Sequence, residues 1–510
     1  MTTPDVTIVV PAYNVGRYVA ACLDSLIAQS AWQRCRVVVI NDGSTDDTRR
    51  ILEDYVSGPQ IDVVDQPNAG PGAGAARNHG LDLVDTEYVL FLDGDDELTT
   101  DAVGLLVGAL DESGLDLAIG ATEQFPIGRR WLWSKYFQPG RIDRVRIEEV
   151  PQLVHDARTC NKLYRTAPLV ASGLRFAEGI HHQDTVVNVP AMLRNPEFML
   201  VGEAVHRYRK RAEGGSVMDS HYTRVGNFWD HLQVVENLVE MLPEFDNSRR
   251  LLMCEFIARS FQGFAWRAPT ILPDDELRVF FERSQRVVER VPIQSIETAT
   301  RDALERAAYV TMLENDFDSF LSLDELIAQL HAHGGHLYLA IPTQDENLRA
   351  LIQTGNTRAW LDRPTIRNRV LYMRLRLRIR GAQRLDHALE RIELRILMAE
   401  TEHSRRQLQL EPTDEPAVFA AEVKLPLPAL RSARYRFRLR FGTSTGACDR
   451  WVRRPVIEGG RIAPPEFARG NLRQVELMSA DNVAELVITE HPLVVMKHRA
   501  LRAKTTKPRH

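Results

Sequence analysis

The sequence has few cysteines, and their arrangement does not suggest a framework. There are five in 510 residues, they form no C-x-x-C pair, and their number is odd. Their positions are Cys22, Cys35, Cys160, Cys254 and Cys448. A disulfide scaffold or a zinc knuckle is therefore not expected, and a reducing compartment fits this cysteine usage best.

The sequence also lacks a basic excess and a long apolar run. The formal net charge is −5, so nucleic acid is not expected as a partner. No stretch of about 18 uncharged apolar residues occurs, which argues against a membrane-spanning helix. The first residues, "MTTPDVTIVVPAYN", have neither the basic region nor the apolar run of a signal peptide. We predict a cytoplasmic protein, with peripheral attachment at the inner face of the membrane as an open alternative.

The length predicts about two to four domains, and the residue patterns change twice along the chain. Residues 1–221 alternate strand and helix signals, residues 222–367 are mainly helical in pattern, and residues 368–510 show period-2 alternation with turns between. We therefore predict an α/β domain, a helical linker domain and a C-terminal antiparallel β-sandwich with a basic tail.

The first region carries the pattern of a parallel sheet. Four apolar runs predict strands, and three segments between them have helical spacing, the second of them with Ser44 as its expected N-cap. The strand runs are "VTIVVPAY", "CRVVVIND", "IDVVDQ" and "EYVLFLDG". This alternation predicts a Rossmann-like, mostly parallel sheet with helices on both faces. Ligands of such sheets bind beyond the carboxyl ends of the strands.

Acidic residues crowd the end of the fourth strand, in "EYVLFLDGDDEL". The four are Asp93, Asp95, Asp96 and Glu97. Polar residues also end the first two strands, in "PAYN" (11–14) and "NDGSTDD" (41–47). Clustered carboxylates raise one another's pKa unless a cation neutralises them, so a hard divalent ion shared with substrate phosphates is the simplest interpretation. The alternative for any single Asp is a turn or capping role.

A glycine-rich turn between the third strand and the next helix offers partners for phosphate. "NAGPGAGAARNHG" (68–80) combines backbone N–H groups, a helix N-terminus and Arg77, which suit a diphosphate. The turn does not follow the first strand and is not a dinucleotide fingerprint.

Four motifs in this order resemble family-2 inverting glycosyltransferases of the GT-A fold. They are "VVPAYNVGRYVAACLDSL", "INDGSTDDT", "GPGAGAARNHGL" and "YVLFLDGDD", and the likeness covers residues 5–217. Within that family the chain looks like bacterial enzymes that build or decorate cell-envelope polymers. Its architecture is similar to that of wall teichoic acid glycosyltransferases, which also carry a helical linker and C-terminal β-sandwich modules.

The resemblance implies a nucleotide-sugar donor, usually a UDP-sugar, and Mn²⁺ or Mg²⁺ as cofactor. Residues 11–14 would line the base and ribose, Asp42 would bind the base, and Arg77 would hold the uridine. Asp95 would bind the metal in a DXD motif, with Asp93 nearer the ribose. The residues implied for the nucleotide-sugar are Pro11, Ala12, Tyr13, Asn14, Asp42, Asn68, Arg77, Asp93, Gly94, Asp95, Gln183, Arg209, Arg211 and Ser216.

Two later segments extend the resemblance. In "LRFAEGIHHQDTVVNVPAML" (174–193), Asp184 matches the family's general base, while Gln183 stands where Glu is usual. The alternative for Asp184 is a helix N-cap. The neighbouring His181 and His182 are interpreted as surface or acceptor-cleft residues. "YRKRAEGGSV" (208–217) resembles the family's loop that closes over the diphosphate, with a solvated basic loop as the alternative.

The implied reaction is a single displacement on a cell-envelope glycopolymer, such as teichoic acid or an exopolysaccharide. Two other functions are kept open. A nucleotidyltransferase also joins an α/β sheet to an acidic metal site, but it gives the 174–193 segment no role. A carbohydrate-binding scaffold with an inactive transferase domain is the non-enzyme alternative, which Gln183 favours weakly.

Arginines recur at every second position in two C-terminal strands. They are Arg374, Arg376, Arg378 and Arg380, and Arg434, Arg436, Arg438 and Arg440. A solvated face paired with residues such as Glu390 or Glu393 is one interpretation, and a groove for an anionic polymer is another. A homo-oligomer contact, as a trimer or dimer, is a third. The basic tail "KHRALRAKTTKPRH" could contact anionic lipid.

Overall fold

A computed structural model describes residues 4–56, 60–126, 129–130, 132–210, 222–300 and 303–323. Further along it describes residues 341–353, residue 409 and the strands named below. The chain divides into two compact units, Met1–Ala299 and Thr300–His510.

The first unit is built on a ten-stranded sheet. Its strands are β1 Val6–Ala12, β2 Cys35–Asp42, β3 Ile61–Gln66, β4 Tyr88–Phe91, β5 Glu97–Leu98, β6 Leu117–Phe125, β7 Arg129–Arg130, β8 Ile142–Val145, β9 Lys162–Arg165 and β10 Phe198–Arg209. The order is β3-β2-β1-β4-β9-β6-β10-β5, with β7 beside β6 and β8 beside β10. The pairs of β1 with β2 and β4, of β2 with β3 and of β6 with β10 are parallel, while β9 runs antiparallel between β4 and β6.

The helices between these strands cover the sheet. They are α1 Val19–Ile27, α2 Thr48–Glu53, α3 Gly74–Asp82, α4 Ala102–Ser113, α5 Thr166–Ala171 and α6 Thr185–Arg194. All seven residues of β1 are buried, as expected for a central strand with both faces covered. The predicted Rossmann-like sheet is confirmed. The expected N-cap at Ser44 is wrong, because α2 begins only at Thr48 and the Ser44 Oγ instead accepts a hydrogen bond from the Asn14 backbone N–H (3.1 Å).

Helices follow the sheet, as the sequence predicts. They are α7 Val225–Met241, α8 Asn247–Ala265, α9 Ala268–Ile271, α10 Asp274–Val288 and α11 Ile293–Ala299. Aromatic rings join α7, α8 and α10: Phe228 meets Phe264 at 5.1 Å between centroids, and Phe261 meets Phe280 at 6.0 Å. Among the described residues, no helix has both the length and the apolar character needed to cross a membrane.

The second unit begins with helices and continues as strands. The helices are α12 Ala303–Leu313, α13 Phe317–Leu321 and α14 Glu346–Leu351. Its strands are β11 Leu330–His333, β12 His336–Leu339, β13 Arg358–Leu361, β14 Thr365–Arg367, β15 Val370–Arg378, β16 Arg391–Met398, β17 Thr401–Leu408, β18 Glu411–Pro412, β19 Val418–Pro426, β20 Arg434–Thr443, β21 Gly446–Arg453, β22 Glu466–Ala468, β23 Arg473–Ala480 and β24 Val483–Glu490.

The strand pairings confirm the predicted antiparallel C-terminal region. Strands β13 to β24 form one network in which the described pairings are antiparallel, apart from the parallel pair β13–β21. The domain bounds at residues 221 and 367 stay predictions. In register, Glu393 lies opposite Arg440 and Glu422 opposite Arg374, and the role of the arginine rows stays a prediction. Arg380, the side chains of β20 and the basic tail lie outside the described residues.

Candidate active site

The acidic turn after β4 lies against the end of β1. The Leu92 backbone N–H donates to the Val9 carbonyl at 3.0 Å, which carries the β1–β4 pairing to the turn. A Cβ atom at Gly94 would lie 3.0 Å from the Pro11 carbonyl oxygen and 3.2 Å from Val15. A side chain here would push the two strand ends apart, so glycine keeps the acidic turn close to β1.

Arg77 of α3 forms an ion pair with Asp93. The arginine is only 3% exposed and its guanidinium lies 5.3 Å from the centre of the Phe176 ring. Burial opposes ionisation of Asp93, but the Arg77 charge holds the pKa of this carboxyl below its usual value. The Nε and Nη1 atoms of Arg77 are buried and have no hydrogen-bond partner among the described residues. Buried donors of this kind are normally satisfied, so two positions beside Asp93 suit an anionic or hydroxyl-rich ligand.

Asp184 stands at the first turn of α6 but does not cap that helix through its side chain. Its carboxyl lies in the electrostatic field of Arg77, Asp93 and Lys162. Burial raises its pKa, Arg77 and Lys162 oppose the rise, and Asp93 adds to it. The N-cap alternative is therefore not supported by the observed hydrogen bonding, and Asp184 shares one charged cluster with the end of β4.

The glycine-rich turn packs on the backbone that precedes Asp184. A Cβ atom at Gly72 would lie 2.1 Å from the Ile180 carbonyl oxygen, and one at Gly74 would lie 1.9 Å from the Ala177 carbonyl oxygen. Neither glycine could carry a side chain without displacing this backbone. The buried Gln183 side chain completes the contact, since its Oε1 would lie 3.1 Å from the Gly72 position. The glycines thus have a packing role in addition to the diphosphate role that the sequence predicts for this turn.

Ion pairs and hydrogen bonds hold Asp93, Asp96 and Glu97 of the acidic turn. Asp93 pairs with Arg77, and Asp96 accepts from His206 at 2.8 Å and from the Arg209 backbone N–H at 2.7 Å. Glu97 pairs with Arg207 at 2.7 Å and also with Arg209. Asp95 is half-buried and its backbone carbonyl accepts from the Arg209 Nε at 2.8 Å. Strand β10 therefore holds the acidic turn through several direct contacts.

Arg209 is occupied by structural contacts at the start of the predicted closing loop. Besides pairing with Glu97, its guanidinium lies 4.4 Å from the Phe125 ring centre and 5.5 Å from that of Tyr18. Arg211 and Ser216, the other residues predicted for this loop, lie outside the described residues.

Asp96, Cys160 and His206 form a buried group whose potential ligand atoms lie within 4.8 Å of one another. The sequence did not predict this group, because the three residues are far apart along the chain. Both His206 nitrogens are engaged, Nε2 with Asp96 and Nδ1 with Thr122 at 3.3 Å. Burial and Asp93 raise the pKa of the Cys160 thiol well above its usual value. A cation here would have to break these hydrogen bonds and ionise the thiol, so the group fits a structural support better than an ion site.

Lys162 is a candidate functional residue that the sequence did not predict. It is fully buried, and its Nζ donates to the carbonyl oxygens of Asp156 (2.7 Å) and Arg158 (2.6 Å) and to Asn161 Oδ1 (3.1 Å). Burial lowers its pKa to about 8, against the opposing charges of Asp156 and Asp184. The surrounding sequence, "CNKLYR" (160–165), resembles a family stretch beside the acceptor cleft, but a buried lysine cannot be told from an exposed one by pattern alone.

The residues predicted for the nucleotide lie around the ends of β1 and β2. Tyr13 is 50% exposed, while Asn14 has a left-handed backbone (φ 51°) and its Oδ1 accepts from the Thr45 N–H at 2.8 Å. Asp42 is buried and its Oδ1 accepts from Gln66 Nε2 at 2.6 Å. Asn68 Nδ2 donates to the Asp42 carbonyl at 3.1 Å. These contacts bring the predicted group together as one rim, and the nucleotide roles stay predictions.

Comparison with known proteins assigns the class. Residues 7–171 match the family described as "Glycosyl transferase family 2". The first unit therefore contains a family-2 glycosyltransferase domain, and the resemblance predicted from the sequence is confirmed. The match covers about a third of the chain and ends before Asp184.

Two relatives give the comparison more detail. The chain is 28% identical over 269 residues to the uncharacterized glycosyltransferase YibD of Escherichia coli, covering 50% of this chain and 76% of YibD. It is 25% identical over 294 residues to the poly(ribitol-phosphate) beta-N-acetylglucosaminyltransferase TarS of Staphylococcus aureus, covering 56% of this chain and 50% of TarS. The chain thus spans about half the length of TarS in this comparison.

Solved structures of S. aureus TarS share the fold. One superposes with a TM-score of 0.63 at 17% identity, covering 96% of this chain and 86% of that one. The 1–349 piece of TarS in complex with UDP-GlcNAc has a TM-score of 0.55 at 20% identity, covering 67% of this chain and 98% of that one. At these identities the likeness establishes the fold alone.

Proposed function

We propose that the protein is a metal-dependent, inverting glycosyltransferase that moves a sugar from a nucleotide-sugar donor to a hydroxyl of a cell-envelope glycopolymer. The observation that carries the proposal is the charged cluster of Arg77, Asp93 and Asp184. It combines a buried cation, a carboxylate that this cation keeps ionised and a second carboxylate with a raised pKa. A scaffold would not need to retain a cluster that is costly to bury.

Asp184 is the proposed general base. The acceptor hydroxyl oxygen attacks the anomeric carbon while its proton passes to the Asp184 carboxylate, and the bond from that carbon to the diphosphate oxygen breaks. A raised pKa makes a carboxylate a better proton acceptor at neutral pH, provided it is still ionised. Arg77 and Lys162 are the cations that favour its ionised form. One displacement inverts the anomeric centre, so an α-linked donor gives a β-linked product.

Arg77 is the proposed contact for the donor. Its Nε and Nη1 atoms have no hydrogen-bond partner in the described part of the chain, and acceptors from the donor would satisfy them. The donor is proposed to be a UDP-sugar because the TarS piece of the same fold was solved with UDP-GlcNAc. The identity of the sugar stays open, and Gln183 supplies a neutral amide at the place where the family usually has a carboxylate.

The oxygen donors of the acidic turn fit a hard divalent cation. Asp95 and Asp93 are the residues that would hold Mn²⁺ or Mg²⁺, as the resemblance to a DXD motif implies, and their carboxylate oxygens are ligands that such ions prefer. When bound, such an ion supplies charge stabilisation for the leaving diphosphate. Arg77 would add its own charge to the same oxygens.

Donor turnover tests this function. UDP release is measured over a panel of UDP-sugars with Mn²⁺, in the wild type and in Asp184→Asn. The proposal expects one or more donors to release UDP in the wild type, with a loss of about 100-fold or more in the variant. Release of pyrophosphate from a nucleoside triphosphate would favour a nucleotidyltransferase instead. UDP binding without turnover on any donor or acceptor would favour an inactive scaffold.

The acceptor is proposed to be an anionic envelope polymer, because TarS carries poly(ribitol-phosphate) in its name. Full-length protein and a 1–299 version, which keeps the first compact unit, are compared on a short acceptor and on a long polyol-phosphate chain. Equal KM values for the long chain at low salt would reject a polymer-binding role for the second unit. A loss of dimer or trimer on truncation would favour the assembly interpretation. Contact with a membrane stays a prediction.

A further inference from the structure

The backbone just before Asp184 is unusual. His182 has a left-handed conformation (φ 60°), which L-residues other than Asn, Asp and His seldom adopt. The residue lies between the Gly72 and Gly74 contacts on one side and helix α7 on the other. A left-handed residue at a functional segment persists only where surrounding contacts determine it.

Two consecutive residues of α7 supply those contacts. Asp230 Oδ2 accepts a hydrogen bond from the His181 backbone N–H at 3.0 Å. The His182 ring meets the His231 ring edge-on, with centroids 5.5 Å apart. His181 and His182 are both half-buried, and their interpretation as surface or acceptor-cleft residues stays a prediction.

His231 is in turn fixed by the helical region. It is 6% exposed and stacks on Phe264 of α8, with ring centroids 4.2 Å apart and planes within 18°. Phe264 also contacts Phe228 of α7, so the contacting rings of His182, His231 and Phe264 continue into the aromatic core of the helices. The position of His182 is thereby tied to helix packing and not to the sheet alone.

The same segment also packs closely on the glycine-rich turn. The Ile180 and Ala177 carbonyl oxygens already occupy the space where Cβ atoms of Gly72 and Gly74 would lie. Beyond these contacts the chain enters α6, where the Asn188 N–H donates to the Asp184 carbonyl at 3.0 Å. The Asn188 side chain is itself held by Tyr164 and by the Ala157 carbonyl (2.6 Å).

We propose that Asp230 and His231 are positioning residues for the base Asp184, acting through His181 and His182. Both lie beyond the part of the chain that matches the family, so the helical region has a part in catalysis and is more than a spacer. The inference rests on the proposed function. A misplacement of about 1 Å at a reacting group can cost about 100-fold in rate, and loss of one of two contacts should cost less.

The test compares Asp230→Ala with Asp230→Asn. Asparagine keeps an oxygen that can accept from the His181 N–H, and alanine does not. We expect Asp230→Ala to lower the kcat of transfer about tenfold with donor KM and UDP affinity within about twofold, and Asp230→Asn to restore at least half of the rate. If the role of Asp230 were purely structural, the melting temperature and the rate of transfer would fall together. A lower kcat with unchanged donor KM and UDP affinity would then not be observed.

A second variant separates positioning from folding. His182→Gly removes the ring contact but also relieves the left-handed backbone, so the melting temperature should stay level or rise while transfer falls. His231→Phe keeps a stacking ring on Phe264 and is the matched control for His231→Ala, which does not. Transfer within twofold of wild type in both Asp230→Ala and His182→Gly would overturn the proposal.

Crystal structures of the wild type and Asp230→Ala give a readout that does not depend on any substrate. The proposal expects the Asp184 carboxylate to shift in the variant while Asp93 and Arg77 stay in place. An unmoved Asp184 would overturn it. A wild type that transfers no sugar would contradict the proposed function instead, and the two failures are thus distinguishable.

Discussion

Arg77 and Asp93 form an ion pair between α3 and the end of β4, with the arginine side chain 4% exposed and the aspartate side chain 38% exposed. The pair lies where the glycine-rich turn, the acidic turn and the Asp184 segment meet. Its cation acts on two carboxylates, because the Arg77 charge also opposes the rise that burial causes in the pKa of Asp184. Arg77 is therefore a charge that favours the ionised form of both carboxylates in one partly buried site.

Arg77→Met should destabilise the protein as well as abolish turnover. Removing one partner of a buried pair costs about 3–5 kcal/mol, and the partial exposure of Asp93 reduces this to about 2 kcal/mol. Chemical denaturation measures the change. Arg36→Met is the control, since Arg36 pairs with Asp62 and Asp85 at a more exposed position and should cost less than about 1 kcal/mol. Equal losses in the two variants would contradict the special role of Arg77.

Asp184→Asn should lose transfer but gain stability at neutral pH. Burial raises the pKa of Asp184, so its contribution to stability is present below the unfolded pKa and is lost as pH rises through the folded pKa. Asparagine avoids the cost of the buried charge, and the gain should shrink as pH falls toward about 4. Melting curves at the two pH values measure this.

The matched control for that variant is Asp101→Asn. Asp101 is exposed and also stands before a helix without a side-chain capping bond. It should change neither stability nor transfer. In the wild type the rate should fall as pH drops through the raised pKa of Asp184, because a protonated base accepts no proton. A stability loss in Asp184→Asn at neutral pH would argue that the carboxylate is structural.

Asp95→Ala should affect turnover, whereas Asp96→Ala should affect the stability of the fold. Asp95→Ala removes the proposed metal ligand, so Mn²⁺-dependent turnover should be lost while the fold persists. Asp96→Ala leaves the buried His206 and the Arg209 N–H without an acceptor, which costs about 1–3 kcal/mol. Wild-type turnover of Asp95→Ala with Mn²⁺ would remove Asp95 from the metal site. Unchanged stability of Asp96→Ala would contradict the structural role given to Asp96, Cys160 and His206.

Gly74→Ala and Gly108→Ala should have opposite effects on stability. A methyl group at Gly74 would overlap the Ala177 carbonyl, while one at Gly108, inside α4, would meet nothing within 4 Å. Gly108→Ala should stabilise by about 0.5–1 kcal/mol. Gly74→Ala should destabilise by more than about 1 kcal/mol and reduce transfer, because the displaced backbone leads to Asp184. Similar melting temperatures for both variants would reject the packing role of Gly74.

The sequence predicted the sheet well because its signals are local. Runs such as "VTIVVPAY" are too apolar and too short for anything but buried strands, and they became β1 to β4. Ser44 failed as an N-cap because a competing partner, the Asn14 backbone 30 residues away, holds it. Capping signals assume that the polar side chain has no better distant partner.

The site was only partly predictable for the same reason. Asp93, Arg77 and Asp184 could be named from motifs, but a motif does not say that their charges meet. The pair of His206 with Asp96 and the contact of Gly74 with Ala177 each span about 100 residues or more. Such contacts follow from the order of strands in the sheet, and no local pattern encodes them. The burial of Lys162 could not be predicted from the sequence for the same reason.

The anomeric configuration of the product distinguishes a single displacement from a reaction that retains configuration. Wild-type protein is incubated with Mn²⁺, an active α-linked UDP-sugar and a polyol-phosphate acceptor, and the purified product is examined by proton NMR. The account predicts a β-linked sugar on an acceptor hydroxyl, formed together with one UDP and absent with Asp184→Asn. An α-linked product, or an equal yield of β-linked product from Asp184→Asn, would contradict a single displacement with Asp184 as its base.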